Sequence, residues 1–381
     1  MKILHTSDLH LGIRVYERSL LEDQQQILSQ IVEIAQREQT ELCLIAGDVF
    51  DRSVASEEAV ALFDDFLTRL MEAGQQVIVI SGNHDSAERL AFGSRIMQAG
   101  GIHFSPRYDG RIRPVLIADD YGTVAFHPIP FLKPANVRPF TGKEIGDDYN
   151  LALQEVVESC DIQKERRNVA VAHQFITHAE MAGSERRMVV GGVDNVEAAL
   201  FEPFDYVALG HLHRAQHCSL PHIRYSGTPM PYSFAEAGDE KSVSIIELKE
   251  KGNLEIKTVP LTPPHAWKML RGRFAELTDP AFYRGHGWEE AYMHITLTDE
   301  EDVYDAMGRL RSIYPNLMEL RYDNSRTRSE NLPVEAPDAA SEKRPADFIR
   351  ELYRIQNNTE MNMEQEAYLQ TLIRKIWEEE A

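Results

Sequence analysis

Side chains that could hold metal ions follow five apolar, strand-like segments of the chain. These segments and the residues after them read KILHTSDLH, LCLIAGDVFD, VIVISGNHD, VAVAHQ and YVALGHLH. The candidate ligands are two carboxylates, one carboxamide and four imidazoles: Asp8, Asp48, Asn83, His10, His173, His211 and His213. These groups are too many for one ion, but they suit two divalent ions that share a carboxylate and a water molecule. Because the ligands are oxygen and nitrogen with no thiolate, we expect Mn²⁺ rather than a structural zinc.

Polar residues beside the candidate ligands have more than one possible role. Asp51 and Asp85 could orient a ligand or His84, or they could simply cap their loops. His178 lies five residues after His173 and is an alternative ligand. We prefer His173 because it directly follows an apolar strand, and we assign His217 only to the loop after GHLH.

Backbone geometry should help to bring these side chains together. A glycine precedes Asp48, Asn83 and His211, and each glycine is expected to let the chain turn sharply. The Asp-x-His and His-x-His spacings would place both side chains on the same side of an extended segment.

The intervening sequence predicts the elements that position these residues. In the first 100 residues strand-like and helical segments alternate, which indicates right-handed crossovers and a largely parallel sheet. Ser19 and Glu22 predict a capping box for the first helix, Ser56 predicts an N-cap for the second, and a third helix is expected over about 86–99. Beyond residue 100 the pattern favours a second sheet. Loops beyond the carboxyl ends of strands in such sheets converge on one crevice.

Composition shifts divide the chain into four parts. Residues 1–262 form the expected catalytic domain, and a proline cluster then opens a small α+β capping domain over 263–325, with one helix begun by a Thr298 to Glu301 capping box. Residues 326–345 are rich in Ser, Pro and charge and are predicted to be a linker. Two amphipathic helices follow over 346–381. Because a polar linker precedes them, their apolar faces are expected to bind a partner, and the alternative is that they fold back on the first domain. The residues of these faces are Phe348, Leu352, Leu369, Leu372, Ile376 and Trp377.

Bulk composition sets limits on partners and location. The 381 residues carry a formal charge of −21, so the chain alone is poorly suited to bind nucleic acid unless metals or a partner supply positive charge. No stretch is long and apolar enough to cross a membrane. The three cysteines Cys43, Cys160 and Cys218 are too scattered for a disulfide framework and are predicted to be buried. These features favour a cytoplasmic protein.

The ordered set DLH, GDVFD, GNHD, a histidine after a strand and GHLH resembles the calcineurin-like metallophosphoesterases over about residues 1–260. The resemblance implies an α/β fold, a two-sheet β-sandwich flanked by helices. It also implies that one metal ion is held by Asp8, His10 and His213. The other would be held by Asn83, His173 and His211, with Asp48 bridging. His84 would stabilise or protonate the leaving oxygen.

Three further segments are similar to the SbcD family of bacterial nuclease subunits: MKILHTSDLHLG, HPIPFLKPANVR and IRYSGTPMPYSFAEAGDEKSV. This resemblance implies a DNA nuclease, acting as an exonuclease on duplex ends and an endonuclease on single-stranded or hairpin DNA, in double-strand-break and hairpin processing. It implies an SbcC-type coiled-coil ATPase partner and a homodimer within a two-plus-two heterotetramer. ATP dependence would belong to the partner, because the sequence has no GxxxxGK loop.

Two other hypotheses use the same residues. A calcineurin-like phosphatase or nucleotide phosphodiesterase would turn over phosphomonoesters or nucleotides with the same metals. A scaffold that binds DNA ends without cutting would not need His84. The capping domain, with seven Lys and Arg against eleven Asp and Glu, is not an obvious electrostatic DNA grip.

Overall fold

The computed structural model describes residues 1–105, 107–177, 179, 195–330, 346, 349–350, 352–354 and 361–373. Among the residues singled out above, His178, Phe348, Ile376 and Trp377 lie outside the described residues. The chain divides into two compact units, Met1–Trp267 and Lys268–Ala381.

The strands, in chain order, are β1 (Lys2–Thr6), β2 (Arg14–Val15), β3 (Arg18–Ser19), β4 (Leu42–Ala46), β5 (Gln76–Ile80), β6 (Ile102–Phe104), β7 (Val115–Asp119), β8 (Gly122–Ile129), β9 (Arg167–His173), β10 (Phe175–Ile176), β11 (Asn195–Val196), β12 (Tyr206–Gly210), β13 (Gln216–Cys218), β14 (Leu220–Tyr225), β15 (Ser242–Leu248), β16 (Leu254–Pro260), β17 (Trp267–Gly272), β18 (Tyr292–Leu297) and β19 (Leu317–Tyr322). The α-helices are α1 (Leu21–Glu38), α2 (Glu57–Glu72), α3 (Ala87–Leu90), α4 (Ser94–Met97), α5 (Pro134–Val137), α6 (Tyr149–Glu158), α7 (Phe274–Leu277), α8 (Pro280–Tyr283), α9 (Ala306–Arg311), α10 (Ser325–Glu330) and α11 (Met363–Ile373). Short 3₁₀ turns occur at Gln98–Gly100, Arg138–Phe140, Ala198–Phe201 and Phe234–Glu236.

Two six-stranded sheets form the first unit. The first has the order β16-β15-β1-β4-β5-β6, and the second has the order β13-β14-β12-β9-β8-β7. Strands β1, β4, β5 and β6 run parallel, as the alternating pattern predicts, and so do β8, β9, β12 and β14. The predicted α/β architecture with two sheets is therefore confirmed. All the loops that carry candidate ligands leave parallel strands at their carboxyl ends.

Apolar side chains from both sheets meet in one layer. Ile3 and Leu44 of the first sheet and Val124 and Val171 of the second are buried together there. These central strands are apolar on both faces, because helices cover the outer sides. Helix α6, for example, buries Val156 against the outer side of the second sheet. Because these strands are buried on both faces, they hold the loops at their carboxyl ends rigidly.

Helix starts follow the predicted chemistry only in part. The Ser56 hydroxyl accepts a hydrogen bond from the Ala59 amide and caps α2, as predicted. The capping box at Ser19 is wrong, because Ser19 pairs with Arg14 in the β2-β3 ladder and the helix begins after it. The expected third helix is broken into α3 and α4, because Gly93 between them adopts a φ of 74°.

The second unit contains a three-stranded sheet in the order β17-β18-β19. Its core includes Met293, Ile295 and Leu310. A helix does follow Thr298, but its predicted start is wrong: the Thr298 amide donates to the Gly272 carbonyl oxygen just beyond β18, and α9 begins only at Ala306.

The predicted linker begins inside a helix. Residues Ser325–Glu330 form α10, because the Asn324 side chain accepts from the Thr327 amide at 3.1 Å and caps it. In the terminal region, Leu369 of α11 is buried, Leu372 is half-buried and Leu352 is exposed. Within the described residues no helix has the length and apolar content that a membrane crossing requires.

Candidate metal centre

The candidate ligands gather where the parallel strands of the two sheets end. Main-chain hydrogen bonds join the first two loops: the Asp8 amide donates to Gly47 and the His10 amide donates to Asp48, both at 3.0 Å. The loop after β12 joins them, because the His211 amide donates to the Asp8 carboxylate at 2.9 Å. Three segments distant in sequence are therefore fixed to one another, two through their backbones and the third through the Asp8 carboxylate.

The Asp48 carboxylate lies at the centre of the cluster. Its Oδ2 is 3.3 Å from Nε2 of His173 and 3.7 Å from Nε2 of His10. Potential ligand atoms of Asp8, Asp48 and His173 all lie within 4.8 Å of one another, and those of His10, Asp48 and His84 do so as well. One carboxylate thus faces imidazoles on two sides.

Asn83 gathers a second group of side chains. Its Oδ1 is 3.0 Å from Nε2 of His173 and 2.9 Å from Nδ1 of His211. The remaining imidazoles lie around His10, whose ring centroid is 5.3 Å from that of His213 and 4.8 Å from that of His84. The cluster has two halves that meet at Asp48.

Buried nitrogen atoms show that these residues fit a pair of cations. Both ring nitrogens of His10 are buried without a hydrogen-bond partner among the described residues. An unsatisfied buried polar atom costs about 1–3 kcal/mol, and a bound cation would satisfy one such nitrogen. Burial also lowers the pKa of His10 and of His211 to about 3, so both rings are neutral and carry a lone pair.

The pKa values of the two carboxylates of the cluster, Asp8 and Asp48, are shifted in opposite directions. Burial raises the pKa of Asp8 to about 6. Burial acts in the same direction on Asp48, but the adjacent His173 imidazole outweighs it and holds the pKa of Asp48 below its ordinary value. The same pairing overcomes burial at His173 and raises its pKa to about 9. Asp48 therefore stays ionised to lower pH than Asp8 does.

The backbone is strained at four candidate ligands. Asp8, His10, Asp48 and His211 have φ values of 54°, 43°, 49° and 100°. Such conformations cost of order 1–3 kcal/mol each for non-glycine residues and concentrate at functional sites. The expectation of an extended Asp-x-His segment is therefore wrong, since both Asp8 and His10 are left-handed.

The glycines before the ligands act in two ways. Gly47 has a φ of 85° and makes the sharp turn that was predicted. Gly82 and Gly210 do not have left-handed φ values, so their predicted role in turning is wrong. A Cβ at Gly82 would overlap Asp48 Oδ1, and one at Gly210 would overlap the Ala46 carbonyl oxygen. These two glycines provide space for close approach.

Comparisons with known proteins agree with this geometry. A family model described as calcineurin-like phosphoesterase matches residues 1–215, and one described as type 5 capsule protein repressor C-terminal domain matches residues 263–357. A protein of Staphylococcus epidermidis, named as the D component of nuclease SbcCD, is 32% identical over 84% of this chain and 85% of its own length. The chain is a calcineurin-like phosphoesterase of the SbcD family. A protein of the same name from Staphylococcus saprophyticus is 32% identical over 89% of this chain and 90% of its own.

Solved structures are more distant from this phosphoesterase. A dimetal phosphatase from Danio rerio is 13% identical, covers 69% of this chain and 99% of its own, and has a TM-score of 0.42.

The two further aspartates of the phosphoesterase, Asp85 and Asp51, act in different ways. The Asp85 carboxylate accepts three amide hydrogen bonds, from Val49, Phe50 and Gly82, at 2.9–3.1 Å, and so ties the loops after β4 and β5 together. His84 Nδ1 is 2.8 Å from the carbonyl oxygen of Asp51. The Asp51 carboxylate, by contrast, approaches Arg52. The backbone of Asp51, not its carboxylate, orients His84.

Several supporting residues were not identified from the sequence. The Ser7 hydroxyl donates to the Asp8 carboxylate and is 2.8 Å from the Ser226 hydroxyl. The Gln24 side chain donates to the carbonyl oxygen of His10 at 2.8 Å. Glu236 lies behind His213. The sequence around these residues indicates only a helix or a family resemblance, because a buried polar contact has no short sequence motif.

Proposed function

We propose that this chain is the metal-dependent DNA nuclease subunit of an SbcCD-type complex and hydrolyses phosphodiester bonds. The main support is the position of Asp48, whose Oδ2 faces the His173 and His10 imidazoles at 3.3 and 3.7 Å. The similarity to SbcD subunits over most of the chain supports DNA, rather than a small phosphomonoester, as the substrate.

Seven residues would hold two divalent ions. Asp8, His10 and His213 would bind one ion, and Asn83, His173 and His211 the other, with Asp48 between them. When bound, two such ions lower the pKa of a shared water and neutralise charge on the phosphodiester. Mn²⁺ is our choice, because the donor set is oxygen and nitrogen without thiolate.

His84 would supply the proton that hydrolysis requires. When water attacks phosphorus and the ester P–O bond breaks, the departing oxygen needs a proton. Because Nδ1 of His84 donates to the Asp51 carbonyl oxygen, the Nε2 proton of the imidazolium form would be the one transferred to the departing oxygen. His173 has a separate, fixed orientation, because its Nδ1 is 2.8 Å from the Ala46 carbonyl oxygen.

We propose exonuclease action on duplex ends and endonuclease action on single-stranded or hairpin DNA, in double-strand-break and hairpin processing. An SbcC-type ATPase would provide the basic surface that a chain of charge −21 lacks. The assembly would be a two-plus-two heterotetramer with a homodimer of this chain.

A cleavage assay tests this function. Labelled duplex and hairpin DNA and a phosphomonoester would be incubated with the chain, with and without the ATPase, over a series of Mn²⁺, Mg²⁺ and Zn²⁺ concentrations. We expect Mn²⁺-dependent DNA cleavage that the ATPase stimulates. Turnover of the phosphomonoester alone would favour a phosphatase, and DNA binding without cleavage would favour a scaffold.

The partner would dock on the C-terminal helices through Phe348, Leu352, Leu369, Leu372, Ile376 and Trp377. Leu372→Ala combined with Trp377→Ala should weaken co-purification with the ATPase, because apolar docking faces depend on a few large side chains. Glu364→Ala, an exposed position on α11, is the matched control. Equal recovery of the ATPase by the double variant and the control would contradict this docking site.

A further inference from the structure

A buried carboxylate and a buried lysine lie directly behind His213. Oε1 of Glu236 is 3.3 Å from Nδ1 of His213, and Oε2 accepts a hydrogen bond of 2.7 Å from Nζ of Lys241. Lys241 also donates to the carbonyl oxygen of His213 at 3.1 Å. These contacts close a ring that holds His213 by its imidazole and by its main chain.

Hydroxyl groups complete the hydrogen bonding of this ring. Thr228 donates to Oε2 of Glu236 at 3.1 Å, and Ser233 donates to Oε1 at 3.0 Å. The Thr228 amide also donates to the His213 carbonyl oxygen at 3.1 Å. Glu236 and Lys241 are both buried. Since apolar residues of similar volume are often at least as stabilising as a buried ion pair, fold stability alone does not explain the pair.

The turn that carries Glu236 is anchored by aromatic packing. Glu236 ends the 3₁₀ turn that begins at Phe234. The Phe234 ring packs edge-on against Trp267, with ring centroids 4.9 Å apart, and lies 5.7 Å from the Tyr16 ring. Because Phe234 is held on both sides, Glu236 has little freedom to move away from His213.

We propose that Glu236 is a positioning residue of the metal centre: it keeps a proton on Nδ1 of His213 and so turns the Nε2 lone pair toward the ion shared with Asp8 and His10. A carboxylate at one ring nitrogen fixes the tautomer and orientation of a metal-binding imidazole. Lys241 balances the charge of Glu236 and fixes its direction. This inference rests on the proposed dimetal function and adds a residue outside the ligand set.

Mn²⁺ binding to metal-free protein, followed by calorimetry and by electron paramagnetic resonance, tests the proposal. For Glu236→Gln we expect one of the two Mn²⁺ sites to weaken by roughly 10–100-fold, with the other unchanged. Cleavage should recover as Mn²⁺ is raised, which a general loss of folding would not allow. The control is Glu240→Gln, an exposed position in the same segment, which should bind both ions normally.

A double variant covers the case in which Glu236→Gln does not fold because Lys241 is left unpaired. Glu236→Gln with Lys241→Met removes both buried charges, and it should fold yet show the same weakened site. A folded double variant that binds two Mn²⁺ ions with unchanged affinity would overturn this inference alone. If the unaltered protein binds no pair of Mn²⁺ ions, the proposed function fails and the inference with it.

Discussion

Two buried histidine–glutamate pairs in different regions of the molecule differ in whether other candidate metal ligands surround them. His213 of the first unit and His294 of the second are almost equally buried, at 8% and 9% exposure. Each has Nδ1 near a carboxylate: Glu236 at 3.3 Å for His213 and Glu319 at 2.7 Å for His294. An imidazole paired with a carboxylate is therefore not by itself a sign of catalysis.

The surroundings of the two pairs differ. His294 and Glu319 lie opposite each other on strands β18 and β19. Nε2 of His294 is 3.1 Å from the hydroxyl of Thr296, two residues along the same strand. His213 lies in a loop beside residues from several other loops. Glu319 and Thr296 of the small sheet contact both nitrogens of His294. His213 instead lies beside the His10 imidazole from the loop after β1, within the cluster of candidate ligands.

Of the variants that separate the two regions, Asn83→Ala in the first unit should cause the largest loss of DNA cleavage. Asn83→Ala removes the oxygen between His173 and His211, so Mn²⁺-dependent DNA cleavage should fall by more than the roughly 10–100-fold that loss of an indirect metal partner costs. Initial rates over a Mn²⁺ series measure this. His294→Ala in the second unit is the control and should cleave normally. Retained cleavage by folded Asn83→Ala would remove Asn83 from the site.

His84→Gln should have the next largest effect. If His84 transfers a proton, turnover should drop by roughly 10²–10⁴-fold while both Mn²⁺ sites stay occupied. Single-turnover cleavage and Mn²⁺ titration separate the two properties. Loss of a Mn²⁺ ion would instead make His84 a ligand, which its proximity to Asp48 and His10 would then explain.

Gly82→Ala should destabilise the metal centre by steric overlap. The new Cβ would overlap Asp48 Oδ1, so we expect about 1–3 kcal/mol lower stability and weaker Mn²⁺ binding. Gly142→Ala, where nothing lies within 4 Å of the new Cβ, should change stability by less than about 0.5 kcal/mol. Denaturant unfolding with and without Mn²⁺ compares them. Equal stability of the two variants would refute the idea that Gly82 is needed to leave space for Asp48.

Glu319→Gln should have the smallest effect. It weakens the contact to His294 in the second unit and should cost about 1 kcal/mol of stability, with Mn²⁺ binding and cleavage unchanged. Paired with Glu236→Gln, it separates a carboxylate that supports a sheet from one that supports a ligand. A change in Mn²⁺ affinity for Glu319→Gln would remove the distinction between the two regions.

Several features of the fold followed from sequence because their causes are local. Apolar runs such as LCLIA form buried parallel strands, and the Ser56 hydroxyl caps the helix that it precedes. Where local rules competed with pairing, they failed: Ser19 joined a β-ladder instead of a capping box. Thr298 also failed to cap a helix, because its amide bonds to Gly272 at the end of β17.

The sequence by itself determined the family, the two-sheet α/β architecture and a set of candidate ligands, since strand periodicity and the order of short motifs are written along the chain. Only the tertiary structure decided that Asp51 orients His84 through its carbonyl group, that Gly82 and Gly210 provide space, and that Glu236 lies behind His213. These depend on distances between segments that are far apart in the chain. Such distances are set by how two sheets pack, and no single stretch of residues encodes them.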